Sequence, residues 1–269
     1  MSVVLVTGGS SGIGLAIVRR LAAAGHQVFS ASRNPDRPGP LAGVTPVAVD
    51  VGDPESGRAA IGAVVGAAGR LDVLINNAGA GAPGALEEIP DQLAHEIFEV
   101  NLFGPMRLAA AAVPVMRAGG GGRIINVTSG NDTVPAPFAG WYSASKAALA
   151  SASTVLDAEV HQFGIFVTMV APGLFRTPMA ERLADPLDSA GSRYAAALAA
   201  LPARGAAALE HAGDPDEVAR AIEACIAADD PPARLVVGGD AEQMIKMVQD
   251  AGPGGLARVL REYVAGLMP

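Results

Sequence analysis

The sequence predicts an α/β fold, with helices on both faces of one doubly wound, parallel β-sheet. Short runs of valine, isoleucine and leucine alternate with longer helical patterns from the first residues to about Gly239. This alternation is typical of strand–helix–strand units in a parallel sheet. Half of the 269 residues are hydrophobic and only 17% are charged. Such a chain can bury one large core, so we expect a single domain over residues 1–269.

The predicted strands are short apolar runs, as expected for strands that are covered by helices on both faces. They are Val3–Thr7, Gln27–Ser32, Thr45–Val49, Val73–Asn76, Arg123–Thr128, Ile165–Val170 and Arg234–Gly238. Patterns of helical period lie between them. The predicted helices are Gly14–Ala24, Glu55–Ala68, Gln92–Phe103, Met106–Arg117, Tyr142–Phe163 and Pro215–Ala228.

Two segments depart from the alternation. Residues 174–213 follow the sixth predicted strand and carry proline, glycine and isolated apolar residues. They leave the sheet at its carboxyl edge, where ligands bind in such folds. Their position therefore favours a substrate-binding lid over a variable surface insertion. Residues 240–269 follow the last strand and predict a helical extension with no motif that assigns it a role.

Composition excludes several classes of function. The net charge is −8, and no run of lysine or arginine predicts binding to nucleic acid or to an anionic membrane. Cys225 is the only cysteine, and the four histidines are scattered, so we expect neither a disulfide nor a metal site. Ser2–Thr7 has strand length and no basic leader, and no apolar stretch is long enough to span a bilayer. We expect a soluble, cytoplasmic protein.

A glycine-rich turn follows the first predicted strand and opens the first helix. The segment Thr7–Gly14 reads T-G-G-S-S-G-I-G. Glycines at such a turn let the backbone approach a pyrophosphate, whose charge the helix N-terminus stabilises. The residues expected to bind a dinucleotide here are Gly8, Ser10, Ser11, Gly12, Ile13 and Gly14.

The end of the second strand indicates which dinucleotide is bound. A carboxylate there would bond the ribose hydroxyls of NAD, whereas a small residue followed by arginine suits the 2′-phosphate of NADP. The chain has Ser32-Arg33, with no acidic residue before Asp36. NADP(H) is therefore the preferred cofactor, and NAD(H) is the alternative. Asp50 and Val51, at the end of the third strand, are candidates for contacts with the adenine.

Three polar side chains form a candidate acid–base site. Tyr142 and Lys146 are four residues apart on a predicted helix, so they share one face. A nearby ammonium favours the phenolate, and we expect it to lower the tyrosine pKa towards the working pH. Tyr142 could then exchange a proton with a carbonyl or alcohol oxygen. Ser129, at the end of the fifth strand, could hold that oxygen in place.

The ordered set of these motifs resembles the short-chain dehydrogenase/reductase family, in its shorter single-domain branch. The resemblance runs from Ser2 to about Gly239. It implies a Rossmann-type sheet of about seven strands and hydride transfer to or from a nicotinamide. The motifs are T-G-x-x-x-G-I-G at Thr7–Gly14, Asp50-Val51, N-N-A-G at Asn76–Gly79, Asn101, Ser129, Y-x-x-x-K at Tyr142–Lys146, and P-G at Pro172-Gly173 with Thr177.

The resemblance also implies roles that spacing alone does not give. Asn101 would hold a water in a proton path through Lys146, and Lys146 would bind the nicotinamide ribose together with Tyr142. Two further groups would line the cofactor. They are Asn77, Ala78 and Gly79 on the adenosine side, and Pro172, Gly173, Leu174 and Thr177 at the nicotinamide. The resemblance further implies a homodimer or homotetramer, through the alanine-rich helices at Met106–Arg117 and Tyr142–Phe163.

Carbonyl reduction, or its reverse, on a moderately apolar ketone, aldehyde or secondary alcohol is the leading hypothesis. The candidate substrate contacts, chosen by position, are Ser129, Asn131, Trp141, Phe175 and Met179. The alternatives are NAD-dependent alcohol oxidation and a non-catalytic dinucleotide sensor. Relatives of the sensor kind typically lack the tyrosine or lysine that this chain retains.

Overall fold

A computed structural model describes residues 1–37, 39–183, 191–252 and 254–267. These residues contain a seven-stranded, fully parallel sheet with the strand order β3-β2-β1-β4-β5-β6-β7. The predicted fold class is confirmed, and each predicted strand is present to within two residues at either end. The strands are β1 (Val3–Thr7), β2 (Gln27–Ser32), β3 (Val44–Ala48), β4 (Val73–Asn76), β5 (Gly122–Val127), β6 (Ile165–Pro172) and β7 (Arg234–Val237).

The predicted helices occur in the predicted order, but two that were predicted as separate are continuous. The two helices predicted at 92–103 and 106–117 are joined by a π-helical turn at Glu99–Phe103. Short 3₁₀ turns lie at Gly130–Asp132 and His161–Phe163. The α-helices are α1 (Gly12–Ala23), α2 (Pro54–Ala68), α3 (Asp91–Phe98), α4 (Gly104–Ala118), α5 (Gly140–Val160), α6 (Pro178–Leu183), α7 (Ala195–Glu210), α8 (Pro215–Ala227), α9 (Gly239–Ala251) and α10 (Gly255–Ala265).

Two apolar cores lie on opposite faces of the sheet. On one face, Leu5 and Ile124 pack against residues of α2 and α4 such as Val64 and Leu108. On the other face, α1 and α8 cover Val4, Ile75 and their neighbours. Burial on both faces explains why the strands read as continuous apolar runs rather than as alternating patterns. This arrangement leaves the carboxyl edge of the sheet for the polar loops.

The two irregular segments form helices at this carboxyl edge. Within 174–213, α6 and α7 are described, and residues 184–190 of the predicted lid lie outside the described residues. The predicted C-terminal extension contains α9 and α10, which the structure describes up to residue 267 apart from residue 253. Leu198 of α7 and Leu267 share an apolar cluster with Phe138. Both segments therefore pack beside the loops that follow β5.

Candidate active site

One large cavity, of about 740 Å³, lies among the loops that follow the strands. Every predicted site residue lines it except Asn101 and Trp141. The structure therefore brings residues that are far apart in sequence to one cleft. The predicted residues that line it are Gly8, Ser10, Ser11, Gly12, Ile13, Gly14, Arg33, Asp50, Val51, Asn77, Ala78, Gly79, Ser129, Asn131, Tyr142, Lys146, Pro172, Gly173, Leu174, Phe175, Thr177 and Met179.

The glycine loop between β1 and α1 is shaped by contacts that a side chain would prevent. Gly8 and Gly12 have φ angles of +69° and +53°, a conformation that favours glycine. A Cβ on Gly14 would lie 2.2 Å from the carbonyl oxygen of Gly8. Ser11 makes no side-chain cap to α1, and the first turn has no acidic residue. The amides of this turn therefore remain available to an anion.

The loop after β4 is tied to the glycine loop by hydrogen bonds. The hydroxyl oxygen of Thr7 accepts hydrogen bonds from the backbone N–H groups of Asn77 (3.0 Å) and Ala78 (3.1 Å). The side-chain amide of Asn77 donates to the carbonyl oxygen of Thr7 at 2.9 Å. Asn77 thus lines the cavity as predicted, and its amide also fixes the spacing of the two loops.

Ser129 and Tyr142 meet at the end of β5. Ser129 caps the 3₁₀ turn, and its hydroxyl accepts a hydrogen bond from the N–H of Asn131 at 3.2 Å. Burial raises the pKa of the Tyr142 phenol above its ordinary value, while a hydrogen bond from Ser129 opposes that rise. The expected fall in the tyrosine pKa is therefore wrong for this structure, because burial, together with the charge of Asp132, outweighs the hydrogen bond from Ser129.

Lys146 lies one helical turn beyond Tyr142 and is buried. Its Nζ donates a hydrogen bond to the carbonyl oxygen of Val127 at 2.8 Å. It lies 6.0 Å from the centroid of the Tyr142 ring. Burial lowers the pKa of Lys146 to about 8. The site therefore combines a protonated phenol with an ammonium group that titrates close to neutral pH.

Asn101 sits in the π-helical turn, outside the cavity lining but directly behind it. Its side-chain oxygen accepts from the N–H of Ala80 at 2.8 Å, and its amide donates to the carbonyl oxygen of Ala80 at 2.7 Å. The amide also donates to the hydroxyl of Ser145 at 2.9 Å. The side chain thus holds the loop after β4 against α5. The role in a proton path remains a prediction.

Trp141 is the predicted substrate contact that the structure does not support. Its ring packs edge-on to Phe98 with a centroid distance of 6.1 Å, and its Nε1 donates to the carbonyl oxygen of Leu86 at 3.2 Å. Adjacent helical residues point about 100° apart, so Trp141 turns away from the face that carries Tyr142. Phe175 lines the cavity but is also buried in the core against Gly213.

The loop after β6 is braced by a residue that sequence reasoning missed. The carboxylate of Asp240, at the start of α9, accepts a hydrogen bond from the N–H of Leu174 at 2.8 Å. A Cβ on Gly173 would lie 2.1 Å from this carboxylate. The hydroxyl of Thr177, just before α6, accepts a hydrogen bond from the N–H of Ala180 in the first turn of that helix. Asp240 therefore fixes the segment predicted to hold the nicotinamide.

Other lining residues were also missed. At the adenosine end these are Asn34 and Arg37, two and five residues after Ser32. At the other end, one face of α7 and part of the C-terminal extension close the cleft. The spacing in α7 is that of a single helical face, but nothing local in the sequence shows what that face covers. These residues are Leu201, Arg204, Gly205, Ala208, Leu209, Met244 and Tyr263.

The described residues meet the requirements of neither a metal site nor a membrane-spanning helix. Among the described residues, no group of three or more His, Cys, Asp or Glu side chains is arranged to hold a metal ion. None of the helices in this described part of the chain has the length and apolarity needed to cross a membrane.

Comparison with known proteins identifies the family. The sequence profile described as short chain dehydrogenase matches residues 2–188. A 3-ketodihydrosphingosine reductase from Bacteroides thetaiotaomicron is 39% identical over 175 residues, which cover 65% of this chain and 64% of that protein. The alignment thus spans slightly less than two thirds of that relative's length.

Solved structures agree with this match over nearly the full chain. A short-chain dehydrogenase from Streptomyces avermitilis is 32% identical, with a TM-score of 0.78 and coverage of 97% of this chain and 95% of that one. A short-chain dehydrogenase from Burkholderia cenocepacia J2315, solved with NADP, is 25% identical, with a TM-score of 0.77 and coverage of 96% and 97%. Since profile, sequence and fold agree, the chain belongs to the short-chain dehydrogenase family of oxidoreductases.

Proposed function

We propose that the protein is an NADP(H)-dependent carbonyl reductase, which converts a ketone or aldehyde reversibly into an alcohol. One observation carries this proposal. Ser129, Tyr142 and Lys146 line the same cavity as Ser32 and Arg33. An acid–base group and a candidate site for a phosphorylated dinucleotide thus share one cleft.

The shape and polarity of the adenosine end support a bound NADP(H). The glycine loop exposes backbone amides and has no room for a side chain at Gly8 or Gly14, as close approach of a pyrophosphate requires. The hydroxyl of Ser32 is buried and has no hydrogen-bond partner among the described residues. Arg33 and Arg37 line the cavity beside it. A 2′-phosphate would satisfy this hydroxyl and both guanidinium groups.

The protein residues would manage the proton and the carbonyl oxygen. When bound, the reduced nicotinamide supplies the hydride that the carbonyl carbon accepts. Tyr142 donates its hydroxyl proton to the carbonyl oxygen, and Ser129 orients that oxygen by a hydrogen bond. The ammonium of Lys146 stabilises the phenolate that remains on Tyr142. Because burial raises the Tyr142 pKa, the phenol stays protonated at neutral pH, as the proton donor in reduction must be.

The substrate end of the cavity supports a largely apolar carbonyl compound. Phe138, Leu174, Met179 and Met244 contribute apolar surface there. Helices α7 and α10 add Leu201 and Tyr263 to the rim. A long-chain 3-keto substrate, as the name of the Bacteroides relative implies for that protein, would suit such a surface. Segments 174–213 and 240–269 would then together form the lid.

Cofactor preference can be tested by titrating NADPH and NADH separately and following nicotinamide fluorescence. We expect NADPH to bind more tightly. We expect Arg33→Ala and Arg37→Ala each to weaken NADPH binding about tenfold or more, because each removes a charge-assisted hydrogen bond, and to leave NADH binding unchanged. Arg58→Ala is the matched control, because the Arg58 side chain is 62% exposed on the outer face of α2. Equal binding of the two nucleotides would favour NAD-dependent alcohol oxidation.

A panel of ketones and aldehydes, assayed with the tighter-binding nucleotide, tests the reaction itself. Turnover by the wild-type protein is expected. If the nucleotide binds and no carbonyl or alcohol is turned over, the dinucleotide sensor becomes the better hypothesis. If neither nucleotide binds, the enzyme hypothesis fails.

We also propose that the protein is a homodimer or homotetramer. Phe103, the residue just before α4, and Val155, on α5, are apolar and 50% and 56% exposed. Burial of these side chains against a second copy would remove apolar surface from water. Light scattering on a size-exclusion column should give a multiple of 27.0 kDa. Phe103→Asp should lower that mass, whereas a monomeric wild-type protein would refute the proposal.

A further inference from the structure

A buried carboxylate lies directly behind the candidate acid–base site. Asp132 closes the 3₁₀ turn that starts at Ser129, and its backbone N–H donates to the carbonyl oxygen of Ser129 at 3.0 Å. The side chain of Asp132 is only 1% exposed. A carboxylate is rarely buried to this extent unless a cation accompanies it.

Arg234, the first residue of β7, supplies that cation through a two-pronged contact. Its Nη1 donates to one oxygen of Asp132 at 3.0 Å, and its Nη2 donates to the other at 2.6 Å. Thr133 joins the pair, since its hydroxyl donates to Asp132 at 2.8 Å and accepts from Arg234 at 2.9 Å. In such a bidentate ion pair, the two parallel hydrogen bonds hold both side chains in one orientation, and the opposite charges stabilise each other.

The pair connects two strands that are not neighbours. Ser129 and Asp132 follow β5, Arg234 begins β7, and β6 lies between them. Arg234 is itself held in register, because it pairs with Met169 of β6. The ion pair therefore clamps the turn that carries Ser129 to the far side of β6. A shift of this turn would move the Ser129 hydroxyl relative to Tyr142.

The same carboxylate acts electrostatically on both members of the acid–base pair. The charge of Asp132 raises the pKa of Tyr142 and also that of Lys146, although burial is the larger influence on each. Arg234 carries the opposite charge, and its side chain is 31% exposed. The net field at Tyr142 therefore depends on how completely the guanidinium compensates the carboxylate.

Other charged groups around Tyr142 are engaged elsewhere or exposed. Asp240 on α9, which packs on the same turn, is bonded to Leu174. Glu99 in the π-helical turn is paired with Arg107. The remaining titratable groups on elements packed against α5 are Asp91, His95 and Glu96 on α3, all exposed, His161 in the second 3₁₀ turn, and Arg123 on β5, which donates to the carbonyl oxygens of Ile226 and Ala228.

We propose that Asp132 and Arg234 are positioning residues for the acid–base site: they hold the Ser129 turn in place and set the charge that Tyr142 and Lys146 experience. The assignment of acid–base work to Tyr142 and Lys146 rests on the proposed function. The charge relation between the four side chains does not, because it exists in the free protein. It can therefore be measured without substrate or cofactor.

The two members of the pair should act in opposite directions. Asp132→Asn removes a negative charge and leaves the guanidinium, so it should lower the pKa of Lys146 below its value of about 8. Arg234→Gln leaves the carboxylate uncompensated and should raise that pKa. Each shift should be about one pH unit, as is typical of a nearby buried charge. The double variant should return close to the wild-type value.

The chain offers an unusually clear readout, because Lys146 and Lys246 are its only lysines. We would label the lysine ε-carbons with ¹³C and follow both signals by NMR from pH 6 to pH 11, with Lys246→Arg for assignment. Lys246, on the outer face of α9, is 75% exposed and serves as an internal reference. Asp216→Asn is the matched control, since Asp216 and Arg20 form a similar bidentate ion pair far from the site.

Opposite shifts for the two single variants, with no shift in Asp216→Asn, would support the proposal. Shifts of the same sign, or none in Asp132→Asn, would overturn it, since a purely mechanical clamp changes stability without moving the Lys146 titration. If Arg234→Gln does not fold, the fall expected in the nearly isosteric Asp132→Asn decides alone. A protein that shows the shifts but reduces no carbonyl would refute the proposed function and leave this inference standing.

Discussion

Tyr142→Phe should reduce the turnover of carbonyl reduction by about 10²–10⁴-fold and leave nucleotide affinity nearly unchanged. The variant removes one hydroxyl and keeps the buried ring, so the packing around it should persist. Without that hydroxyl, the nearest proton source at the carbonyl oxygen is Ser129, whose aliphatic hydroxyl is a much weaker acid than a phenol. We would measure turnover at saturating nucleotide and substrate, together with a fluorescence titration of the nucleotide.

Tyr194→Phe is the control for this experiment. Tyr194 packs edge-on to Phe138, and its hydroxyl donates to Glu87 at 3.0 Å, but it does not line the cavity. Its loss should change turnover by no more than about twofold, as expected for an exposed hydrogen bond. A Tyr142→Phe variant that keeps most of its turnover would show that another group supplies the proton.

Gly14→Ala should abolish measurable nucleotide binding and also destabilise the fold. The added Cβ would lie 2.2 Å from the carbonyl oxygen of Gly8 and 2.5 Å from the side-chain amide of Asn77. The closest of these atoms belongs to the backbone, so it cannot rotate away as the end of a side chain could. The glycine loop must therefore move, at a cost of about 1–3 kcal/mol. Moving it misaligns the amides expected to bind the pyrophosphate.

Gly66→Ala is a matched control in another helix. Gly66 lies within α2, and nothing lies within 4 Å of the position that its Cβ would take. This variant should gain about 0.5–1 kcal/mol in unfolding free energy, because alanine suits a helix interior better than glycine. Urea unfolding and nucleotide titration of both variants provide the test. Wild-type affinity in Gly14→Ala would mean that the loop does not approach the nucleotide closely.

Much of the fold could be predicted from local signals. Continuous apolar runs such as Val3–Thr7 predicted strands buried on both faces, and the structure contains them. The π-helical turn that joins α3 and α4 was missed, because such a turn keeps the helical pattern while changing its hydrogen bonds. The lid was assigned from position alone, and its role remains a prediction.

The sequence by itself determined the family, the strand–helix order and the residues that meet in the cleft. It could do so because the glycine loop, the spacing of Tyr142 and Lys146, and the strand ends are local patterns in a fold with a fixed edge for ligands. It could not give the sign of the Tyr142 pKa shift, which depends on how deeply the phenol is buried.

Only the tertiary structure decided which distant groups support that cleft. Asp132 and Arg234 are 102 residues apart, and nothing in either neighbourhood predicts that they pair. Asp240 reaches Leu174 across 66 residues, while Trp141, next to Tyr142 in sequence, turns away from the cavity. Such contacts arise from the order of strands in the sheet and from the packing of helices on it, and both depend on the whole chain.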